Sequence, residues 1–593
     1  MGSFRMIISY WVRSKRDFAF QFTWLVISTI FYVITPIFIG RMVGSLNPNL
    51  PVVSVIELLI YFGLILFFAF LRYVLNRAAR LRGAEVSSRA VYYLRSDISN
   101  AIYRQSFAYF DKTETGQLIS RATSDIEETQ MIFGMGLTLS LQSFLQLGGV
   151  IIGFLLFAVI YDSFEIVFIL IIVIFTSLGV SFYIAKKLRP IFLETRESFG
   201  DLTNTIRENI IGAQVVRMFS TQKKEQQKFL ENNERFYKAS VKSVKFNSVF
   251  LPVIIIVIGF MTVITLFLGG VKVINGSMGF EALITLQSYV TALSFPLMIL
   301  GQIMLMYIQA DAALIRVREV LDSTPDVQDL PDAVPGNSIM GNIEFENVSF
   351  GYTPDHRILK NVSFQVQAGK KLAILGTTGS GKSTIISLIP RFYDVNEGVI
   401  RIDKKLIQKY IIKDLRSNIG IVSQETFLFD KSIADNIAYG KESATEDEII
   451  QAAKIANLHD FIISLPKGYK SLVGERGTRL SGGQKQRLTI ARALIIKPKI
   501  LIFDDSTSSV DVETEYKIQN ALAEIMKDTT TIIITQRIST IRDADSILIL
   551  DRGRVVGFGT HDELINKNVL YSQIYETLYQ KQKLKVKIEE NSN

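Results

Sequence analysis

The run Gly376-Thr-Thr-Gly-Ser-Gly-Lys-Ser383 sets three glycines, a lysine and a serine at the spacing GxxxxGK[ST]. A loop of that composition can turn successive backbone N–H groups toward phosphates at a helix N-terminus, where the helix dipole also favours negative charge. Lys382 would then reach the β/γ-phosphates and the Ser383 hydroxyl could ligate Mg²⁺, while Gly376, Thr377, Thr378, Gly379, Ser380, Gly381 and Thr384 complete the candidate nucleotide contacts. The flanking pattern agrees: Lys371–Leu375 reads as a buried parallel strand and Thr384–Ile389 as the start of a helix. Downstream, Ile500-Leu-Ile-Phe-Asp504 is an apolar strand ending in a carboxylate, which can hold Mg²⁺ opposite Ser383. The chemistry predicted is ATP binding with Mg²⁺.

The elements that must position these residues divide the chain in two. With 593 residues, 48% of them hydrophobic, it is too long for one core and too apolar to be wholly soluble. Six apolar stretches, Phe18–Ile39, Val55–Leu75, Leu137–Ile160, Ile166–Ile184, Val249–Gly270 and Leu283–Ile308, each have about the 20 residues that cross a bilayer. No cleavage pattern follows the first, so it reads as a span. Lys and Arg crowd the N-terminus, the loop 76–131 and the loop 186–247, which places these and the nucleotide-binding half in the cytoplasm of a multi-pass cell-membrane protein. The net charge of +9 is thereby assigned to membrane orientation, with no nucleic-acid partner. The absence of cysteine excludes disulfides and thiolate metal sites, and three scattered histidines disfavour a histidine site. The loop 186–247 has apolar residues at helical spacing and reads as two helices prolonging the fourth and fifth spans. Residues 1–321 thus form a membrane domain, 322–341 a proline-bearing linker, 342–579 an α/β domain with a substantially parallel sheet, and 580–593 a polar tail without fold-demanding periodicity.

Leu480-Ser-Gly-Gly-Gln484, followed by Lys485-Gln-Arg487, sets Ser481 and the Gly482 and Gly483 amides at a second helix N-terminus. With the phosphate loop, this string resembles the signature of ATP-binding cassette (ABC) proteins. The resemblance implies that Ser481, Gly482, Gly483 and Gln484 meet the γ-phosphate of ATP held by the opposite cassette of a head-to-tail pair. It also implies that Tyr352 stacks on adenine and that Gln424 contacts Mg²⁺ and the attacking water. Val473–Gly477 would touch the membrane domain, and Asp511 would lie on the loop linking two nucleotide sites. Phe110–Asp125, and Glu208–Gly212 with Val215, Val216 and Phe219, look like the two cytoplasmic coupling loops of ABC exporters. Six spans followed by one cassette is the arrangement of a half-transporter. The fold expected is therefore a membrane α-helical domain with long cytoplasmic extensions followed by an α/β P-loop ABC nucleotide-binding domain.

Two positions depart from the family. Asp505 stands where a glutamate general base is implied, and Gln536 where a histidine senses the γ-phosphate; the histidines present are His356, His459 and His561. Shortening Glu to Asp withdraws a carboxylate by roughly 1.5 Å, and a misplacement of about 1 Å can cost about 100-fold. Losing a base costs about 10²–10⁴-fold, and an amide cannot shuttle a proton. The expectation is a site that binds ATP better than it hydrolyses it, in the degenerate-site subunit of a heterodimeric exporter. Its partner would be a paralogous half-transporter, and its cargo a small hydrophobic or amphipathic compound such as a drug, lipid or peptide. An active homodimer and an ATP-binding regulatory membrane subunit are the alternatives. Within the spans, Gln142, Gln146, Gln287 and Gln302 face either a cavity or neighbouring helices, and Met298, Met304 and Met306 either line a path or pack.

Overall fold

Long apolar runs without charges favour helices that satisfy their own backbone groups, and the first half of the chain is built from them. The computed structural model describes residues 3–46, 55–353, 355–504, 521 and 528–591. Helix α1 (Ser3–Val12) turns at Arg13 and Ser14 into α2 (Lys15–Gly44), and α3 (Val55–Tyr103) follows. The first long loop is helical: α4 (Phe107–Lys112), α5 (Thr115–Ala122) and α6 (Ser124–Met131) lead through a π turn at Ile132–Gly136 into α7 (Leu137–Ile160). Helices α8 (Phe164–Ile211) and α10 (Gln222–Ile274) are joined by α9 (Ala213–Met218), then come α11 (Phe280–Ala292) and α12 (Ser294–Asp322). Among the described residues, 6 helical stretches are long and apolar enough to span a membrane, one for each stretch expected. Helices α8 and α10 have 48 and 53 residues, so each runs roughly 70–80 Å and carries the predicted extension as continuous helix.

Polar and proline residues in these helices have visible partners. Pro296 has no N–H to give the Ala292 carbonyl four residues back, and the Tyr32 hydroxyl donates to that carbonyl instead. Gln287 donates to Thr262 Oγ1 at 3.2 Å, and the buried Gln21 donates to Thr138 Oγ1 at 2.8 Å. Gln142 and Gln146 are buried, whereas Gln302 is exposed. Met304 lines an apolar cavity of about 530 Å³ together with Trp11, Phe144, Phe182 and Tyr307.

The second unit comprises residues 324–593 together with 105–113, so α4, although it lies between the second and third spans in sequence, belongs to it. Phe107 of α4 stacks on Phe392 at 4.1 Å between ring centroids, Arg416 lies 5.2 Å over the Phe392 ring, and Tyr393 donates to Asp111 at 2.7 Å. The linker is held as well: Val334 N–H donates to Lys409 O, and the Val334 carbonyl accepts from Ile411 N–H. Strands β1 (Ile343–Phe350), β2 (Leu359–Val366), β4 (Glu397–Ile402) and β5 (Lys405–Leu406) form an antiparallel sheet in the order β2-β1-β4-β5, and β3 (Lys371–Gly376) starts the other sheet. That sheet, in the order β10-β9-β3-β8-β7-β6, adds β6 (Ile419–Val422), β7 (Ile500–Asp504), β8 (Thr530–Ile534), β9 (Ser546–Asp551) and β10 (Arg554–Gly559). All its pairings are parallel except β10 with β9, and the runs LAIL and ILIF are buried, as strands covered on both faces require.

Around the sheets lie α13 (Lys382–Leu388), α14 (Ile412–Ser417), α15 (Ile433–Ile437), α16 (Glu446–Ile455), α17 (His459–Ser464) and α18 (Gly482–Leu494). They are followed by α19 (Ile538–Arg542), α20 (His561–Lys567) and α21 (Val569–Asn591). The last differs from expectation, because the helix runs through the polar tail to Asn591. Its start is anchored: Tyr571 is fully buried, its hydroxyl lies 2.6 Å from His561 Nδ1, and the Tyr575 ring packs on His561. Burial pushes the Tyr571 hydroxyl up to about 12, so it keeps its proton at neutral pH.

Candidate functional site

Parallel strands end on one edge of their sheet, so residues just past β3, β6, β7 and β8 are neighbours whatever their separation in sequence. Register aligns Ile374 with Ile534 and Asp504 with Ile534, while Val422 pairs with Phe503. At that edge opens a cleft of about 1000 Å³ lined by Gly376, Thr377, Thr378, Gly379, Gly381, Lys382, Ser383, Thr384, Gln424, Asp504 and Gln536. Residues spread over 160 positions of sequence, as counted from Gly376 to Gln536, thus share one cavity.

The loop geometry fits a phosphate cradle. Gly379 and Gly381 have φ of +80° and +104°, and a Cβ on Gly381 would sit 2.6 Å from Leu359 Cδ2. Gly381 is the N-cap of α13 and offers no side chain to the first-turn N–H groups, which are left for a ligand. Lys382 Nζ donates to the carbonyls of Gly376 and Thr377 at 3.0 and 2.8 Å, folded back over its own loop. A hydroxyl (Ser383), a carboxylate (Asp504) and an amide oxygen (Gln424) lining the same cleft form the oxygen donor set that Mg²⁺ prefers.

Two predicted residues, Ser380 and Tyr352, stand apart from this lining. Ser380 is 1% exposed, its N–H donates to Thr377 O at 3.2 Å, and its carbonyl accepts from Gly553 N–H. Tyr352 packs its ring edge-on against Phe350 and Tyr393, at 5.2 and 5.1 Å, beside the cleft rather than in its wall. Asp505 lies outside the described residues, as does Asp511.

Sequence reasoning missed one wall entirely. Leu570, Gln573, Ile574, Thr577 and Leu578 of α21 line the cleft, as do His356, Arg357, Lys360 and Arg552. The helical spacing of 570, 574 and 578 was the available signal. Arg357 is held by both oxygens of Glu397 at 2.6 and 2.8 Å.

The signature residues lie elsewhere. Ser481, Gly482, Gly483 and Gln484 are absent from the cleft wall and form the start of α18. Ser481 Oγ accepts the Gln484 N–H at 3.3 Å, and Gln484 Oε1 accepts the Ser481 N–H at 2.9 Å, a reciprocal capping box. Just before it, Gly474, Arg476 and Gly477 all have positive φ, so the Val473–Gly477 loop is tightly wound. In the first unit, Val215, Met218 and Phe219 at the α9 turn are 56, 71 and 66% exposed.

Comparison with known proteins agrees with both halves. Residues 18–297 match the ABC transporter transmembrane region and residues 359–508 match the ABC transporter family. The ABC transporter ATP-binding protein YknU of Bacillus subtilis is 38% identical over 498 residues, covering 84% of either chain. An ATP-dependent lipid A-core flippase of Syntrophus aciditrophicus is 36% identical over 512 residues, covering 86% of this chain and 84% of that protein. The structure of a bacterial Atm1-family ABC exporter with ATP bound superposes with a TM-score of 0.82 at 27% identity, covering 95% of this chain and 98% of that one.

Proposed function

The chain belongs to the ABC transporters, as an exporter half with one transmembrane region and one ATP-binding domain, and we propose that it is the ATP-retaining half of a heterodimeric exporter. The observation that carries this reading is the coexistence of Asp505 and Gln536 with an intact Leu480–Gln484 signature. Gln536 lines the cleft, where its amide can hydrogen-bond a phosphate and cannot relay a proton. Asp505 follows Asp504 directly and is one carbon–carbon bond shorter than the glutamate of the family pattern.

In this mechanism the loop amides and Lys382 bind the phosphates, and Ser383, Asp504 and Gln424 would hold Mg²⁺, which when bound neutralises phosphate charge. Hydrolysis at this chain's own cleft is slow. The Ser481–Gln484 helix start serves instead the ATP held by a paralogous partner whose chain carries Glu and His at the two altered positions. Closure of the paired cassettes drives alternating access, with the N-terminus and the ATP-binding domain cytoplasmic in the cell membrane. The cargo is a small hydrophobic or amphipathic compound, a reading supported by the lipid named for the flippase relative.

ATP turnover by the purified chain, alone and with a paralogous half-transporter that carries Glu and His at the two altered positions, tests this proposal. Slow turnover alone and fast turnover in the pair is the expected result. Turnover by the chain alone at ordinary exporter rates, abolished by Asp505→Ala, would establish an active homodimer instead.

A further inference from the structure

Where α1 turns into α2, a cavity of about 560 Å³ is lined by Val12, Arg13, Ser14, Lys15, Arg16, Asp17 and Arg89. Four cations therefore face one carboxylate. Arg89 is paired with Asp17 at 2.6 Å and Arg13 with Asp97 at 2.9 Å, whereas Lys15 and Arg16 have no carboxylate partner among the described residues. The cavity also sits at the N-terminus of a 30-residue helix, whose first-turn N–H groups have no carbonyl within the helix to reach. Ser14 is the N-cap residue, yet its side chain makes no capping bond. Its hydroxyl is buried, with the residue 5% exposed, and has no hydrogen-bond partner among the described residues. A buried hydroxyl without a partner is destabilising. Cations without a carboxylate partner, the helix-start amides ahead of Phe18 and an unanswered hydroxyl all call for the same ligand chemistry, a phosphate oxygen.

The surroundings say which phosphate. Helix α2 is itself a candidate membrane span, so the cavity marks the end of a hydrocarbon-crossing segment. Val12 in the cavity wall is 48% exposed, and Phe20, one turn along α2 with the Arg16 guanidinium 5.9 Å over its ring, is 43% exposed, apolar surface that free phosphate would not use and an acyl chain would cover. We propose that the α1–α2 corner is a binding site for the phosphate of an anionic lipid headgroup, held by Lys15, Arg16 and the Ser14 hydroxyl.

Native mass spectrometry of the full chain in detergent tests this with phosphatidylglycerol as probe. Wild type should retain one phosphatidylglycerol in preference to phosphatidylcholine. Lys15→Gln with Arg16→Gln should weaken that retention about 25-fold, about fivefold per cation removed. Lys15→Arg with Arg16→Lys should restore it, and ATP binding by each variant verifies that the chain remains folded. Unchanged retention in the glutamine variant would overturn the proposal, as would failure of the charge-conserving variant to restore it. Displacement of the lipid by an equal concentration of inorganic phosphate would overturn the lipid assignment in favour of a free anion.

Discussion

The two glycine-bearing helix starts of the ATP-binding domain, Gly381 before α13 and Ser481 before α18, share a sequence logic and are finished differently. At α13 the N-cap is a glycine, the first-turn amides face a cleft, and Lys382 rests on its own loop carbonyls. At α18 the Ser481 and Gln484 side chains already satisfy one another's backbone N–H groups. The first is built to receive a ligand within its own chain. The second is complete in itself, and under the proposed pairing a partner's phosphate would have to compete with a cap worth about 1 kcal/mol, a modest barrier beside charge-assisted hydrogen bonds of roughly 1.5–3 kcal/mol.

Substitutions should separate the two starts. The largest effect is expected from Asp505→Glu with Gln536→His, which restores the base and the proton-capable side chain. Single-turnover hydrolysis at this chain's own cleft should rise about 10²–10⁴-fold, and no rise would mean the cleft is not the impaired site. Next, Lys382→Ala should weaken equilibrium ATP binding about 10–100-fold. Ser481→Ala should leave that same Kd within about twofold, since truncating a group with no contact in the cleft removes no bond to the ligand. A comparable loss from both would erase the distinction between the helix starts. Ser481→Ala should nonetheless cost about 1 kcal/mol of local stability, visible as faster amide hydrogen exchange in the first turn of α18. The smallest effect is expected from Tyr571→Phe, which removes the hydrogen bond to His561 and should loosen α21 by about 0.5–1.5 kcal/mol. Hydrogen exchange in α21 would report it.

Much of the site was legible because its chemistry demands particular residues at short spacing. The phosphate loop, the strand-ending Asp504 and the capped signature all sit where local pattern placed them, on the elements expected. What escaped local pattern were contacts made by distance in sequence. The spacing of Leu570, Ile574 and Leu578 marks an apolar helix face, yet nothing near Val569 says what that face meets, which is decided by docking of Tyr571 and Tyr575 on His561 and on the Ala373, Leu375 and Ile547 cluster. Ser380 belongs to the loop motif, yet its side chain turns inward under the β9–β10 turn, where Gly553 reaches its carbonyl. Composition alone marks the tail beyond Gln580 as polar and without a fold-demanding period, whereas helix propagation from an anchored first turn costs little per residue.

The amino-acid sequence by itself determined the six spans, the ATP-binding domain and the candidate residues of the nucleotide cleft, because hydrophobic length, strand and helix period and glycine spacing are local properties. Only the tertiary structure decided that β3, β6, β7 and β8 deliver Gly376–Ser383, Gln424, Asp504 and Gln536 to one edge, that α4 belongs with the ATP-binding domain, and that Ser481 takes no part in its own chain's cleft wall. Parallel pairing and side-chain docking join residues separated by tens to hundreds of positions, and that joining resides in the folded core rather than in any short stretch of chain.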